Sequence, residues 1–265
     1  MDRAISKTFE RLAQRQEKAF IPFITAGDPD LETTVGLAIE LERAGSHIVE
    51  LGIPFSDPLA DGPVIQRSSE RALRHGYRFS DYLAAVRAIR RQTGIPLVLF
   101  SYFNPILQYG LDRLALDARN AGADGILVTD MTPEEADGYC ACMERNEIDA
   151  IFLVAPTSDT TRINRIVGCC RGFVYVVSRT GVTGAQDSLS DTVLPTLARV
   201  RDRTRLPVAV GFGISRPDQV RAIWEVAEAA VVGSAIVAQI EQRAGDTDLV
   251  PRIGGFCRWL LGAAS

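Results

Sequence analysis

Short runs of aliphatic and β-branched residues alternate along the whole chain with longer stretches whose apolar positions recur every three or four residues. The runs are AFIPFITAG (19–27), HIVELGIP (47–54), PLVLFSYF (96–103), GILVTD (125–130), DAIFLVAP (149–156), FVYVVSR (173–179), PVAVGFG (207–213) and AAVVGSA (229–235). They are continuously apolar rather than alternating, which predicts strands covered on both faces, as in a parallel sheet. Stretches such as DYLAAVRAIRRQ (81–92) and LDRLALDARNAG (111–122) predict amphipathic helices. Strand then helix, repeated through 265 residues without a linker or low-complexity tract, predicts the α/β class and a closed (β/α)8 TIM barrel. An extra N-terminal helix is expected over 3–17 and a last helix over 247–264, with residues 1–265 forming a single barrel domain.

Composition narrows the partners. A formal net charge of −4 supplies no basic face, so no nucleic acid is expected to bind. The five cysteines, Cys140, Cys142, Cys169, Cys170 and Cys257, have no C-x-x-C spacing and read as reduced thiols rather than a disulfide framework or a zinc site. The polar start lacks the apolar core of a signal peptide, and the longest small-apolar run, AAVVGSAIVA (229–238), is about half a membrane span. A cytoplasmic protein without membrane contact is expected.

In a barrel of this kind chemistry sits at the C-terminal ends of the strands. The segment VELGIPFSDPLADGP (49–63) places Glu50 inside the second strand and Asp57 and Asp61 in the loop that follows. Burying a carboxylate costs several kcal/mol unless it is paired or protonated, so Glu50 requires a reason. Either it pairs with a buried arginine, or it is a proton-transfer group with a raised pKa. Asp61 either caps the helix beginning near Pro63 or stays ionised and stabilises developing positive charge. TGVTGAQDS (180–188), GFGIS (211–215) and VGSA (232–235) put glycines after strands six, seven and eight, where backbone N–H groups and a helix N-terminus suit a phosphate. Alone, each glycine is equally consistent with a tight turn.

Missing residues limit the mechanism further. Lys7 and Lys18 are the only lysines and both precede the first strand, so no Schiff base is available at the barrel mouth. Two histidines, His47 and His75, do not assemble a multi-histidine zinc site, and no metal is expected. Neither a G-x-S-x-G elbow nor a complete dinucleotide fingerprint is present. General acid–base catalysis by Glu50 and Asp61 remains.

VELGIPFSDPLADGPVIQ (49–66), with FITAGDPD (23–30), NPILQYG (104–110), SRTGVTGA (178–185), GFGIS and VGSAIV (232–237) in the same order, resembles the tryptophan synthase alpha chain family over nearly the whole chain. The resemblance implies retro-aldol cleavage of indole-3-glycerol phosphate to indole and glyceraldehyde 3-phosphate, in tryptophan biosynthesis, with no cofactor in this chain. It implies that Glu50 protonates indole C3 and takes the proton of the adjacent side-chain hydroxyl, while Asp61 holds the indole N–H. It further implies that Gly184, Gly213, Gly233 and Ser234 cradle the phosphate beside Phe212. Phe20, Tyr102, Leu127, Ile151 or Leu153, and Tyr175 would line the indole pocket, and Thr183 would close over it and orient Asp61. The implied partner is a pyridoxal-phosphate beta chain in an alpha2beta2 heterotetramer, faced by the loops carrying Asp57, Pro58 and Asn104. Alternatives with the same residues are a stand-alone indole-releasing lyase, a subunit that only activates its partner, and another phosphate-binding barrel of sugar-phosphate metabolism.

Overall fold

The computed structural model of the chain describes residues 3–177, 193–211 and 213–262. Among them are nine strands: β1 (Ala19–Thr25), β2 (Val49–Gly52), β3 (Leu97–Ser101), β4 (Gly125–Val128), β5 (Asp149–Ile151), β6 (Leu153–Val154), β7 (Val174–Val177), β8 (Val208–Gly211) and β9 (Ala229–Val232). The helices are α1 (Ala4–Gln14), α2 (Leu31–Arg43), α3 (Pro63–Leu73), α4 (Phe79–Arg90), α5 (Phe103–Tyr109), α6 (Leu111–Ala121) and α7 (Asp137–Arg145). They continue with α8 (Thr160–Cys169), α9 (Val193–Arg201), α10 (Pro217–Val226), α11 (Ser234–Gln242) and α12 (Leu249–Leu260).

All strand pairs are parallel and follow the order β5-β4-β3-β2-β1-β9-β8-β7-β6. The run expected as one strand over 149–156 is two short ones separated by Phe152. β5 pairs with β4, β6 pairs with β7, and the Phe152 carbonyl accepts from Tyr175 N at 3.2 Å. One extended stretch thus changes neighbour halfway along, and this joins the two ends of the sheet into the expected barrel.

Alternation along each strand sorts residues into two cores. Ile21, Ile48, Val98, Leu127, Ile151, Phe173 and Tyr175 fill the interior, whereas Phe20, Ile24, Val49, Leu51 and Leu99 pack outward against the helices. The N-terminal helix sends Ile5, Phe9 and Leu12 into the interior cluster. Each such side chain, taken fully out of water, contributes about 1.5–3 kcal/mol. Arg3 fastens the helix start by donating to Ile148 O (3.1 Å) and Asp149 Oδ1 (2.8 Å), with Glu144 also in range at 3.0 Å. One end of the barrel is therefore closed by α1.

Helix α5 was not legible in the sequence. PLVLFSYF yields a strand only to Ser101, because Phe103 N donates to Asp130 Oδ1 (2.7 Å) and starts a helix. Gly110, at φ 93°, then separates α5 from α6, and Gly122, at φ 95°, ends α6 in the left-handed region that glycine adopts without a Cβ penalty. Among the described residues no helix is long and apolar enough to cross a membrane.

Candidate active site

Glu50 is the second residue of β2, in register with Phe23 of β1 and Val98 of β3. It has the same parity as interior Ile48, so its side chain enters the barrel. It is 0% exposed, and neither carboxylate oxygen has a hydrogen-bond partner among the described residues. No described residue forms a salt bridge with it, so the buried-arginine reading of Glu50 is not met among the described residues. Burial raises its pKa to about 8. The Tyr175 hydroxyl lies close enough to feel that charge: its own burial, and then Glu50, push its pKa well up.

Asp61 sits in the turn-rich segment between β2 and α3, where Asp61 N donates to Pro58 O (3.0 Å). Gln66, one turn into α3, donates to Asp61 O at 2.9 Å. The α3 N-cap is Gly62 with Pro63 at the first helical position, and the Asp61 side chain makes no cap. It accepts instead from Tyr102 Oη (3.1 Å at Oδ2), and the same phenol oxygen accepts from Ala60 N (3.0 Å). Burial lifts the Asp61 pKa to about 6, against the opposing effect of the Tyr102 hydrogen bond. Glu50, inside the barrel and not among the residues lining the Asp61 cleft, and Asp61 in the loop after the same strand thus hold protons at different strengths, which suits acid and base roles.

Asp61 and Tyr102 share a cleft with Phe23, Thr25, Gly52, Ile53, Ile65, Ser69 and Phe100, about 230 Å³ including space open to solvent. The Phe23 ring lies over Gly52, where any Cβ would collide with it, and meets Phe100 edge-on at 5.3 Å. A bicyclic aromatic ligand therefore enters only if these rings turn.

Gly213 follows β8 at φ 40°, and Gly233 is the N-cap of α11, followed by Ser234 as its first residue. Gly233 has no side chain with which to cap α11, so the helix's first-turn N–H groups and dipole are directed at the strand end. A Cβ at Gly233 would stand 3.5 Å from the Phe23 Cβ, which brings this helix start beside the ring that lines the cleft. Thr183, Gly184 and Phe212 lie outside the described residues.

Phe20 is a correction. It is fully buried in the outer core with Leu37 and Leu41, on the wrong face of β1 for a pocket. Phe23, three residues on and of opposite parity, takes that place. A continuous apolar run does not show which parity faces inward; the interior position of Glu50, Phe23's register partner, does. Phe100 and Thr25 were also missed. Leu127 and Ile151 do face the interior but are fully buried in its core, and Leu153 is half-buried against the same cluster; none of the three is among the residues lining the cleft. Asp57 and Asn104 are exposed, and close to them Leu59 and Leu107 present 82% and 59% of their surface to solvent.

The family model described as "Tryptophan synthase alpha chain" matches residues 9–253. A tryptophan synthase alpha chain from Geotalea uraniireducens is 51% identical over 252 residues, 95% of this chain and 94% of that protein. The solved structure of Mycobacterium tuberculosis tryptophan synthase matches with a TM-score of 0.90 at 37% identity, over 98% of this chain and 97% of the other. A tryptophan synthase complex from Pyrococcus furiosus matches with a TM-score of 0.85 at 34% identity, over 92% and 98% of the two chains.

Proposed function

The chain belongs to the tryptophan synthase alpha chain family, whose lyase reaction cleaves indole-3-glycerol phosphate to indole and glyceraldehyde 3-phosphate, and we propose that Glu50 and Asp61 carry that reaction here. The observation that carries this reading is the Glu50 carboxyl, fully buried inside the barrel without a hydrogen-bond partner among the described residues and neutral near pH 7. A carboxylic acid in that state gives its proton to indole C3, which places positive charge on the ring nitrogen. Asp61, ionised above pH 6, accepts the ring N–H and stabilises that cation. The Glu50 carboxylate then takes the proton of the hydroxyl on the carbon attached to C3. The C3–carbon bond breaks, its electron pair returns to the indole ring, the aldehyde forms, and Glu50 is again protonated. No cofactor in this chain takes part. Tyr102 positions Asp61, and Gly213, Gly233 and Ser234 supply backbone and hydroxyl donors for the phosphate, with Thr183, Gly184 and Phe212 completing the set that the family resemblance implies.

A beta chain holding pyridoxal phosphate, in an alpha2beta2 assembly, is the proposed partner. Exposed Leu59 and Leu107, flanked by Asp57, Pro58 and Asn104, offer it apolar surface beside the mouth. Indole release from indole-3-glycerol phosphate, by the full chain alone and with a tryptophan synthase beta chain, tests the proposal. Slow release that rises with the beta chain is expected. Fast release without it would favour the stand-alone lyase, and no release in either case would overturn the catalytic reading.

Tyr102→Phe should raise the Asp61 pKa above about 6, because the lost phenol bond is what opposes burial. Since the ionised form of Asp61 is the active one, the acidic limb of the kcat/KM profile should move to higher pH. An unmoved limb would dissociate Tyr102 from Asp61's function.

A further inference from the structure

Helices α3 and α11 begin at the two ends of the proposed substrate: α3 directly after Asp61, α11 at Gly233 and Ser234. They touch near their starts through Ile65 and Val237, which cluster with Phe23. An apolar contact confined to the helix starts, here joined by Val64, fixes their distance more firmly than the angle between them.

A second connection lies farther along both helices. Glu241, in the last turn of α11, accepts from Arg67 Nε and Nη2 at 2.7 Å each and from Arg71 Nη1 at 2.7 Å. Arg71 turns its remaining donors on Asp28, Nε to Oδ1 and Nη2 to Oδ2, both at 2.8 Å. Asp28 is 1% exposed, in the loop after β1, with its N–H on Thr25 O (3.2 Å). The two arginines hold the Glu241 carboxyl down at about 2. One carboxylate of α11 thus grips α3 at two points a helical turn apart, and the planar fork of Arg71 ties the pair to the barrel. The seven residue steps from Ser234 to Glu241 span roughly 10 Å, and a rotation of about ten degrees about the Val237 contact moves the helix start by a little under 1 Å.

We propose that Glu241 and Arg71 are positioning residues that set the spacing between Asp61 and the phosphate end of the site, so that indole and phosphate are bound at the separation one substrate molecule requires. The inference rests on the assignment of Asp61 and the α11 start given above. It predicts a particular energetic signature: each half of the substrate binds normally alone, and only the joined molecule suffers when the clasp is loosened.

The test uses the full chain, with Glu241→Gln and Arg71→Lys, and compares three quantities: kcat/KM for indole-3-glycerol phosphate, and the dissociation constants of indole and of glycerol 3-phosphate measured separately. Misplacement by the order of 1 Å can lower turnover about 10²-fold, so Glu241→Gln should lose roughly 10- to 100-fold in kcat/KM while both fragment affinities stay within about twofold. Arg71→Lys, which keeps the charge and loses the fork, should show the same pattern at smaller size. Fragment affinities that fall in step with kcat/KM would mean general loosening and overturn the proposal, as would unchanged kcat/KM. Failure of the unmodified chain to cleave the substrate would instead overturn the functional assignment on which the inference rests.

Discussion

Glu50→Gln is expected to lower indole release by about 10²–10⁴-fold or more, since the same carboxyl serves both proton transfers. The pH dependence follows from the two carboxyls. Activity of the unmodified chain requires Asp61 ionised, which fails as pH falls through about 6, and Glu50 protonated, which fails as pH rises through about 8. A bell-shaped kcat/KM profile between those limbs is the expected result, and a flat profile from pH 7 to 10 would remove Glu50 as the acid. The same residue affects stability with a definite sign. The unfolded chain releases the Glu50 proton near 4.5 and the folded chain holds it to about 8, so stability declines across that interval and levels off above it. Gln has no proton to lose, and the variant should be more stable than the parent at pH 9 by on the order of a few kcal/mol. Denaturant midpoints at pH 5 and 9 measure this. Equal pH dependence in both proteins would mean that Glu50 is not buried as described.

The largest loss of stability from a single surface-to-core change is expected at the other end of the barrel. Arg3→Leu removes the partner of Asp149, whose side chain is 1% exposed and whose Oδ2 has no hydrogen bond among the described residues. Breaking a buried pair from one side costs about 3–5 kcal/mol, because the remaining charge is left without compensation. Burial already raises the Asp149 pKa in spite of Arg3, and without the guanidinium it rises further. The variant can therefore relieve its unpaired charge by taking up a proton as pH falls, and its deficit should be smaller at pH 5 than at pH 8. Urea unfolding at the two pH values, with the slope unchanged, tests this. A deficit below about 1 kcal/mol at pH 8 would show that Asp149 does not depend on Arg3.

Much of this was legible in the chain because the barrel repeats one local rule. Eight apolar runs were found at the eight barrel positions, and the acid-bearing segment after the second fell at the mouth, since both conclusions need only periodicity and strand order. Other features were not. The inward parity of β1 is hidden, because a strand buried on both faces carries no alternation, and the sequence points to Phe20 although Phe23 is the residue that lines the cleft. The hydrogen bond from Tyr102 to Asp61 joins residues 41 apart, and the ion pair from Arg71 to Glu241 joins residues 170 apart. Neither leaves a spacing signal, since such pairs are fixed by tertiary geometry alone. Phe152 is the subtlest case: an unbroken apolar run contains a change of neighbour that pairing, and not composition, imposes.

The helix that seals the base of the barrel has a consequence for traffic. With Ile5, Phe9 and Leu12 lodged in the interior, the vessel is blind at one end, and substrate and products share the other. Whatever docks over Leu59 and Leu107 therefore stands beside the open end, and by covering or uncovering it can decide both what is admitted and where indole goes next.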